Sequence, residues 1–545
     1  MLGPAPVKHA LLLRSPPFPA LDSHAFARPL APTPSEDLPG DIFARIRVAR
    51  VGGTFWAESF VPSQPGATID RADTTQTRDV DPWSTLASAS HLEAHGDDEW
   101  VALARIAGVS VTVLSPGRFG APGNDDATLD RRTLDHLARQ RFANPFTGEP
   151  VEILDAIELL AEWRRALDGN RGSGPHDRIV VASGMAWWKR KEIRQFLWLP
   201  EGPLKIVSSP RRALRVAQRS GGSLAVWPSR VSPALIAEAG KRGVGLVRVE
   251  DGFVRSAGLG SNLVPPSSIV VDRLGIHFDP GAPSDLEAVL ATHPFPPSLT
   301  TRARALRETI VEAGISKYAT GHEATPDHLP KHREGVQRAR RIVLVPGQVE
   351  DDMSVRAGGG GIASNLELLR RARALEPDAE IWWRPHPDVD AGHRIGAIPD
   401  AQAHEFADRI VRGGGMAPLL DAVDAVHVLT SLTGFEALMR GREVICHGTP
   451  FYAGWGLTRD LGEVPDRRGR TLSLDELVAG VLILYPRYLD PVTGLPCPPE
   501  VLVARMAENA AHNRQSWIAP LRHWQGRLMA RIRAALHRDK ETTNP

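Results

Sequence analysis

The sequence predicts an α/β protein in which two consecutive doubly wound domains follow a mainly helical N-terminal extension. Short β-branched runs alternate with helical segments from about residue 178 onward, which is typical of buried parallel strands covered by helices. The same alternation starts again near residue 341, so a second domain of the same type is expected. Helical periodicity dominates residues 81–167 instead, and it predicts the extension.

The composition excludes several classes of protein. The chain has 545 residues, 42% of them hydrophobic and 24% charged, which corresponds to about three domains of ordinary soluble composition. Its 65 basic and 64 acidic residues give a formal net charge of +1, which argues against a nucleic-acid partner. Two cysteines, Cys446 and Cys497, exclude a disulfide scaffold and a cysteine-rich metal cluster.

The sequence also predicts a cytoplasmic location. No run approaches the roughly 20 apolar residues that a membrane-spanning helix requires. The apolar stretch that ends at Leu13 is interrupted by Arg14 and Pro16 before it reaches the length of a signal-peptide core.

Composition shifts divide the chain into five segments. Residues 1–80 are rich in Pro, Ala, Ser and Asp and are predicted to be poorly structured. The helical segment 81–170 ends in a glycine-rich loop that predicts a domain boundary. The doubly wound domains are expected at 171–335 and 336–500, and C-terminal helices at 501–545.

Nine strands are expected in the two domains, and ligands of such domains bind beyond the carboxyl ends of the strands. Polar residues that directly follow a strand are therefore the candidates for function. The expected strands lie near Ile179–Val181, Lys205–Val207, Leu224–Trp227, Leu246–Val249, Ser268–Val271, Arg341–Val345, Ala379–Trp383, Ala425–Leu429 and Glu443–Cys446.

Two of these strand ends are rich in carboxylates. Glu250 and Asp251 follow the fourth strand, with Arg255 close behind, and they fit either a polar site or a solvated turn. Gln348 and three consecutive acids ending at Asp352 follow the first strand of the second domain. A carboxylate at such a position can act as a nucleophile, although acidic runs are often only hydrated.

Two further strand ends fit the binding of an anion. Arg384 and His386 follow one strand, and Pro387 helps to hold His386 rigidly, which suits an oriented donor or simply a stiff loop. Ser431 and Thr433 follow another strand, where hydroxyls either cap a helix or hold a nucleotide phosphate. No zinc-binding spacing is present.

Six motifs occur in a defined order between about residues 178 and 500. They are Glu250–Ser256, Gln348–Val355, His386–Val389, Thr430–Leu438, Tyr452–Thr458 and Tyr485–Pro491. Together they resemble the bacterial capsule β-Kdo transferases of the KpsC type, which build a short linker of Kdo, an eight-carbon acidic sugar, on a lipid acceptor. Members usually carry two catalytic modules in tandem, and the single intact set of motifs here is most similar to the second module.

The resemblance implies a GT-B glycosyltransferase, with two Rossmann-like domains facing a cleft. It implies transfer of β-Kdo from CMP-Kdo with retention of configuration, without a metal or another cofactor. The catalytic Asp of the family corresponds to Asp352, which would be the nucleophile. The residues that the resemblance associates with CMP-Kdo are Gln348, His386, Pro387, Ser431, Thr433, Gly434 and Glu436, the last facing the ribose.

The acidic sugar and the acceptor hydroxyl require further groups. The Kdo carboxylate requires a cation, for which Arg255 and Arg384 are the candidates. Glu250 or Asp251 is the candidate base for the acceptor. The implied partners are a CMP-sugar, a lipid-linked Kdo acceptor and other capsule assembly proteins.

Residues 80–170 are interpreted as a degenerate remnant of a first module. Arg141–Gly148 parallels Arg487–Gly494, and each segment is followed by an acidic and apolar helix. Chance similarity of two turns is the alternative. Comparison of residues 85–165 with 420–510 in the structure tests the hypothesis.

The C-terminal segment 516–538 is predicted to form a basic amphipathic helix. Such a helix fits the inner face of the inner membrane, where anionic lipids attract basic residues. Packing of its apolar stripe on the protein is the alternative.

Two other functions remain open from the sequence. One is a transferase of the same fold that uses another CMP-nonulosonic acid. The other is a non-catalytic capsule assembly protein that keeps the nucleotide-binding fold, although the joint presence of Asp352, His386 and Glu436 argues against it.

Overall fold

The computed structural model describes residues 11–19, 26–28, 31, 38–62, 64–72, 79–255, 264–316 and 340–511. The strands are β1 (Ala27–Arg28), β2 (Glu58–Ser59), β3 (Ala67–Asp70), β4 (Val80–Asp81), β5 (Ala89–Ala94), β6 (Ser110–Val113), β7 (Arg141–Ala143), β8 (Pro150–Val151), β9 (Ile179–Ser183), β10 (Lys205–Ile206), β11 (Ser223–Val226), β12 (Leu246–Asp251), β13 (Ser268–Asp272), β14 (Ile342–Pro346), β15 (Glu380–Arg384), β16 (Arg409–Ile410), β17 (Ala425–Val428), β18 (Glu443–Cys446), β19 (Arg459–Asp460), β20 (Pro486–Leu489) and β21 (Pro496–Cys497).

The helices are α1 (Ile42–Ala49), α2 (Pro82–Leu86), α3 (Glu99–Ala107), α4 (Asp126–Ala138), α5 (Ile153–Arg171), α6 (Arg190–Phe196), α7 (Pro210–Arg219), α8 (Pro233–Lys241), α9 (Asp285–Thr292), α10 (Pro297–Glu312), α11 (Met353–Gly358), α12 (Asn365–Leu375), α13 (Pro387–Asp390), α14 (Asp400–Ala403), α15 (Met416–Ala422), α16 (Thr433–Met439), α17 (Leu474–Val478) and α18 (Pro499–Ala511). Among the described residues, no helix has both the length and the apolar character needed to cross a bilayer.

The chain forms two compact units. One contains residues 1–179, 193–205 and 489–498, and the other contains residues 180–192, 206–488 and 499–545. The first unit holds the N-terminal extension, and the second holds both doubly wound domains.

The extension combines helices with short sheets. Strands β3, β5 and β6 pair in parallel, and α3 connects β5 to β6. Residues 1–80 were expected to be poorly structured, but the described part of this segment contains α1 and buries Leu12, Leu13, Ile46 and Phe55. Composition does not reveal this order, because it depends on contacts distant in sequence, such as the hydrogen bond from Leu13 N to Gln140 Oε1 (3.2 Å).

Two turns 346 positions apart have the same hydrogen-bond pattern. The first begins at Asn144 and the second at Asp490, and in each the side chain accepts the N–H groups two and three residues later. These distances are 2.9 and 3.3 Å after Asn144 and 3.2 and 3.1 Å after Asp490. In both turns the backbone N–H of the first residue, Asn144 or Asp490, donates to the carbonyl of the residue five positions later. The carbonyl of the first residue accepts the N–H of the glycine four positions later.

The elements around these turns also correspond. The first turn joins β7 to β8 and precedes α5, and the second joins β20 to β21 and precedes α18. Upstream, the parallel units β5-α3-β6 and β17-α16-β18 have the same order. The derivation of residues 81–170 from a first module stays a prediction, and this shared order of elements is the feature that a superposition would test.

The first doubly wound domain contains the adjacent strands β9, β11, β12, β13 and β20. Strands β11 and β12 are parallel, and apolar residues such as Val181, Leu214 and Leu224 form the core between sheet and helices. Strand β13 was expected to be parallel, but it pairs antiparallel with both β12 and β20. All five of its residues are buried, and a continuous apolar run does not distinguish the two directions.

The second doubly wound domain has a parallel six-stranded sheet with the order β16-β15-β14-β17-β18-β19. In chain order this is 3-2-1-4-5-6, the order of the Rossmann fold. Its strands bury side chains such as those of Val343 and Val345 against Leu368 and Leu369 of α12. The order reverses between β14 and β17, so a crevice is expected beyond the ends of these two strands. The predicted α/β class with two Rossmann-like domains is confirmed.

Candidate active site

Two cavities meet beyond the carboxyl end of β14. The larger, here called the switch-point cavity, has a volume of about 680 Å³ and is lined mainly by residues 346–349, 384–387, 412–416 and 430–433. The smaller, here called the interdomain cavity, has a volume of about 390 Å³ and is lined by residues of both doubly wound domains. Of the described residues, those that line both cavities are Asp352, Ser354, Thr430 and Leu432.

Asp352 lies at this junction and is the N-cap of α11. Its Oδ1 accepts hydrogen bonds from both the backbone N–H (2.9 Å) and the hydroxyl (2.7 Å) of Ser354. Its Oδ2 accepts no hydrogen bond from the described residues. The carboxylate is therefore held in one orientation with one oxygen able to react.

Gln348 connects the two strand ends that flank the switch point. Its Oε1 accepts the backbone N–H of Thr430 (2.9 Å), and its Nε2 donates to Thr430 Oγ1 (2.9 Å). Both hydrogen-bonding atoms of its side chain thus contact the protein. The structure favours a positioning role for Gln348 over the predicted direct contact with the sugar nucleotide.

His386 has a defined tautomer. Its Nδ1 accepts the backbone N–H of Asp388 (3.2 Å) as the N-cap of the short helix α13. Because Nδ1 accepts, the proton of the neutral ring lies on Nε2, which makes this atom a hydrogen-bond donor. His386 and Pro387 line the switch-point cavity, as expected for a phosphate site.

Ser431, Thr433 and Glu436 line the same cavity. Ser431 Oγ donates to Thr433 Oγ1 (3.1 Å), and Glu436 is nearly buried on the first turns of α16. Burial raises the pKa of Tyr452, so its hydroxyl stays protonated and donates to the Ser431 carbonyl. The loop that carries the hydroxyls is thereby fixed from behind.

Gly434 has a different role from the predicted contact with substrate. In the part of the chain that the structure describes, Gly434 is not among the residues that line the switch-point or the interdomain cavity. A Cβ at this position would lie 2.2 Å from the Tyr452 hydroxyl oxygen, so only glycine allows α16 to approach Tyr452.

Glu250 and Asp251 line the interdomain cavity from the first domain, but Asp251 is tightly ion-paired. Its two oxygens accept from Lys189 Nζ at 2.8 and 3.0 Å, and Arg255 Nε lies 2.8 Å from its Oδ2. Lys189 Nζ also lies 3.7 Å from the centroid of the Trp227 ring. Burial lowers the pKa of Lys189, and the neighbouring Asp251 opposes this shift. Of the two carboxylates, Glu250 is the better candidate for a base.

The two arginines predicted to bind the sugar carboxylate have contacts within the protein. Arg255 is fully buried, pairs with Asp251, and donates to the Val264 carbonyl (2.8 Å). Arg384 lines the switch-point cavity, but its guanidinium donates to the carbonyls of Val411, Gly413 and Gly414. Sequence cannot show such contacts, because the carbonyls belong to segments that only folding brings near.

Sequence reasoning missed several residues of the site. Ser354 and Thr430 contact Asp352 and Gln348, and Trp227 and Arg394 line the interdomain cavity. The spacing Asp-x-Ser at the start of α11 was a usable signal, because an N-cap Asp bonds the N–H group two residues later. Across the described residues, His, Cys, Asp and Glu side chains do not form a cluster that could hold a metal ion.

The fold and the site define a protein in which two Rossmann-like domains contribute polar residues to adjoining cavities. Residues 223–488 match the family described as capsule polysaccharide biosynthesis protein. The lipopolysaccharide-processing protein LpsZ of Rhizobium meliloti is 43% identical over 354 residues, which cover 64% of this chain and 78% of LpsZ. The chain belongs to this capsule polysaccharide biosynthesis family.

Other relatives agree with this assignment. The capsule polysaccharide modification protein LipA of Neisseria meningitidis serogroup A is 41% identical over 358 residues, which cover 66% of this chain. The chain spans about half, 49%, of the length of LipA. The predicted resemblance to KpsC-type proteins is confirmed.

Two solved structures of Thermosulfurimonas dismutans KpsC are similar. The β-Kdo 2,4 transferase has 30% identity and a TM-score of 0.51, and the match covers 60% of this chain and 98% of the other. The β-Kdo 2,7 transferase has 33% identity and a TM-score of 0.48, with 61% and 99% covered.

Proposed function

We propose that this protein is a retaining glycosyltransferase that moves β-Kdo from CMP-Kdo to a Kdo-terminated, lipid-linked acceptor in capsule biosynthesis. One observation carries the proposal: Asp352 lies where the two cavities meet, with Oδ1 hydrogen-bonded and Oδ2 able to react. Similarity to the β-Kdo 2,4 transferase supports the choice of sugar.

The two cavities suit the two substrates. The switch-point cavity lies where Rossmann domains bind nucleotides, and it presents His386, Ser431, Thr433 and Glu436. We therefore assign CMP-Kdo to it. The interdomain cavity combines Trp227, an aromatic surface suited to a sugar ring, with the carboxylate of Glu250, and we assign the acceptor to it.

In the first step, Asp352 Oδ2 attacks the anomeric carbon of Kdo. The bond from this carbon to the phosphate oxygen breaks, and CMP leaves with the electron pair. The Nε2–H group of His386 and the hydroxyls of Ser431 and Thr433 stabilise the phosphate charge.

In the second step, the acceptor hydroxyl oxygen attacks the same carbon from the interdomain cavity. The bond to Asp352 Oδ2 breaks, and the hydroxyl proton moves to Glu250. Two displacements retain the β configuration. No step requires a metal ion or another cofactor.

A cation for the Kdo carboxylate is available in the interdomain cavity, which adjoins the switch-point cavity at Asp352. Arg394 lines the interdomain cavity, has 41% of its side chain exposed, and pairs with Asp351 through a 2.8 Å contact. We assign carboxylate recognition to Arg394 in place of Arg255 and Arg384, which are only 0% and 8% exposed.

The test uses the purified protein, CMP-Kdo generated in situ and a Kdo-terminated glycolipid. Wild type should form a product with a second β-linked Kdo, as read by mass spectrometry and NMR of the anomeric configuration. Asp352→Asn should abolish transfer but not folding, because Asn still accepts the N–H of Ser354 and caps α11.

A matched control separates lost chemistry from a lost helix cap. Asp125 caps α4 through the N–H of Thr128 (2.9 Å) and does not line either cavity, so Asp125→Asn should transfer at the wild-type rate. Transfer that survives Asp352→Asn would exclude the nucleophile assignment. Activity only with another CMP-nonulosonate, or with no CMP-sugar, would support one of the two alternative functions.

A further inference from the structure

A chain of hydrogen bonds runs from Gln348 through Thr430 and Ser354 to the carboxylate of Asp352. Its links are Gln348 Nε2 to Thr430 Oγ1 (2.9 Å), Thr430 Oγ1 to Ser354 Oγ (3.4 Å), and Ser354 Oγ to Asp352 Oδ1 (2.7 Å). It connects the ends of β14 and β17, the two strands at the switch point.

The direction of every donor in this chain is determined by the first link. Gln348 Oε1 accepts the backbone N–H of Thr430, so the Gln348 Nε2 must be the donor to Thr430 Oγ1. The single hydroxyl proton of Thr430 is then directed to Ser354. The single hydroxyl proton of Ser354 in turn is directed to Asp352 Oδ1.

We propose that Ser354 is a positioning residue that controls the second displacement, and that Thr430 and Gln348 act through it. This inference rests on the proposed function, with Asp352 as nucleophile. Donors aligned in one direction polarise one another, so we expect Thr430 to strengthen the hydrogen bond from Ser354 to Asp352, but only modestly because the Thr430–Ser354 link is 3.4 Å long.

The chemistry explains why the second step depends on Ser354. After the first displacement, Oδ2 of Asp352 is bonded to the sugar and Oδ1 is an ester carbonyl oxygen. When the acceptor oxygen attacks the anomeric carbon, the bond to Oδ2 breaks and its electron pair returns to the carboxyl group. The donors at Oδ1 stabilise this returning negative charge, which makes Asp352 a better leaving group.

Ser354→Ala tests the proposal, because it removes the hydroxyl but keeps the backbone N–H donor. Loss of a hydrogen bond to a charged group should lower kcat about ten- to hundred-fold. Slower breakdown should make a glycosyl-enzyme adduct accumulate, which intact-protein mass spectrometry detects. The KM for the CMP-sugar should fall along with kcat, because the accumulating intermediate lies after donor binding.

Two comparison variants isolate the hydroxyl. Ser354→Thr keeps a hydroxyl at the same position and should restore most of the rate. Ser473 donates to Glu476 Oε2 at 2.8 Å in the first turn of α17, outside both cavities. Ser473→Ala therefore removes a comparable serine-to-carboxylate bond, and it should leave kcat unchanged.

Thr430→Val tests whether the chain acts as a unit. This variant should lower kcat less than Ser354→Ala does, and it should have no further effect in the Ser354→Ala background. An equal loss in both backgrounds would show that Thr430 acts independently of Ser354.

The outcomes separate this inference from the proposed function. If wild type transfers sugar but Ser354→Ala keeps the wild-type kcat and forms no adduct, the role of Ser354 is refuted and the proposed function stands. The role of Ser354 would also be refuted if Ser354→Ala lowered kcat but raised the KM for the CMP-sugar, and Ser354→Thr did not restore the rate. If wild type shows neither transfer nor adduct, both fail.

Discussion

Asp251 and Glu250 are neighbours in sequence with different surroundings. Asp251 is ion-paired with Lys189 and Arg255, whose side chains are only 9% and 0% exposed. Asp251→Ala should lower the free energy of unfolding by about 3–5 kcal/mol, because two buried cations lose an ion-pair partner. Glu250→Gln should instead lower the transfer rate with a smaller effect on unfolding, since Glu250 also attracts the Lys189 charge but less strongly than Asp251 does. Urea unfolding and initial rates, measured on both variants, check these expectations.

The opposite result would reassign the base. An Asp251→Ala protein that unfolds like wild type but does not transfer sugar would place the base at Asp251. Lys189→Met in the Asp251→Ala background provides a control, because it removes one unpaired cation and should restore part of the stability.

The sequence allows prediction of which residues reach the site, but not what their polar atoms contact. Asp352, His386 and Glu436 line the expected cavities, because residues that follow parallel strands meet at one edge of the sheet. Arg384 meets the same rule, yet its guanidinium contacts carbonyls of a glycine-rich loop almost 30 residues away. A short-range pattern contains no information on such partners.

At the scale of elements, each of the turns at Asn144 and Asp490 uses one side chain to hold two backbone N–H groups, through Oδ1 alone in Asn144 and through both oxygens in Asp490. Asp490→Ala should lower the free energy of unfolding by about 1 kcal/mol, because two partly buried backbone N–H groups lose their acceptor. Asp490→Asn should lower the free energy of unfolding much less, because Oδ1 of Asn144 alone accepts both N–H groups of the corresponding turn. Thermal unfolding of the two variants provides the measurement. Equal losses would mean that the charge, and not the acceptor geometry, stabilises the second turn.

Strand position was more predictable than strand direction. The nine expected strands lie within a few residues of β9 to β15, β17 and β18, because β-branched runs between helices are distinctive. The antiparallel direction of β13 depends on its pairing with β20, more than 200 residues later in the chain. Strand β13 would be buried in either direction, so its composition does not indicate whether it is parallel or antiparallel to its neighbours.

At the scale of the whole molecule, the two units are not contiguous in sequence. Residues 489–498 belong to the unit that contains α5, where Trp163 Nε1 donates to the Pro496 carbonyl (2.8 Å). Boundaries predicted from composition follow the chain, whereas this contact joins positions 333 residues apart. Such a division depends on tertiary packing and is not visible in local sequence patterns.

Both units contain buried histidines that make stability depend on pH. Burial lowers the pKa of His136 to about 4, of His427 to about 3 and of His447 to about 4. Nearby cations lower all three further; Arg341 and Arg459 do so at His427, next to the 3.0 Å contact between His427 Nδ1 and His447 Nε2.

These shifts fix the sign of the pH dependence. An unfolded histidine titrates near pH 6.5, so between about pH 6.5 and 4 the unfolded chain binds more protons than the folded one. Above pH 6.5 these histidines are neutral in both states, so they should not reduce the free energy of unfolding there. As the pH falls from there toward the folded-state pKa of about 3 to 4, each histidine should reduce the free energy of unfolding by up to about 1.4 kcal/mol per pH unit, and the loss should stop below that pKa.

Urea unfolding at pH 7.5 and pH 5.0 should show a lower midpoint at the acidic pH. Burial raises the pKa of Asp81 and Asp272, which opposes this trend, so the informative quantity is the difference between wild type and a variant. His427→Gln removes one titrating group but keeps a polar partner for His447, and its loss of stability between the two pH values should be smaller. An unchanged pH dependence in this variant would mean that His427 is not the group whose protonation destabilises the fold.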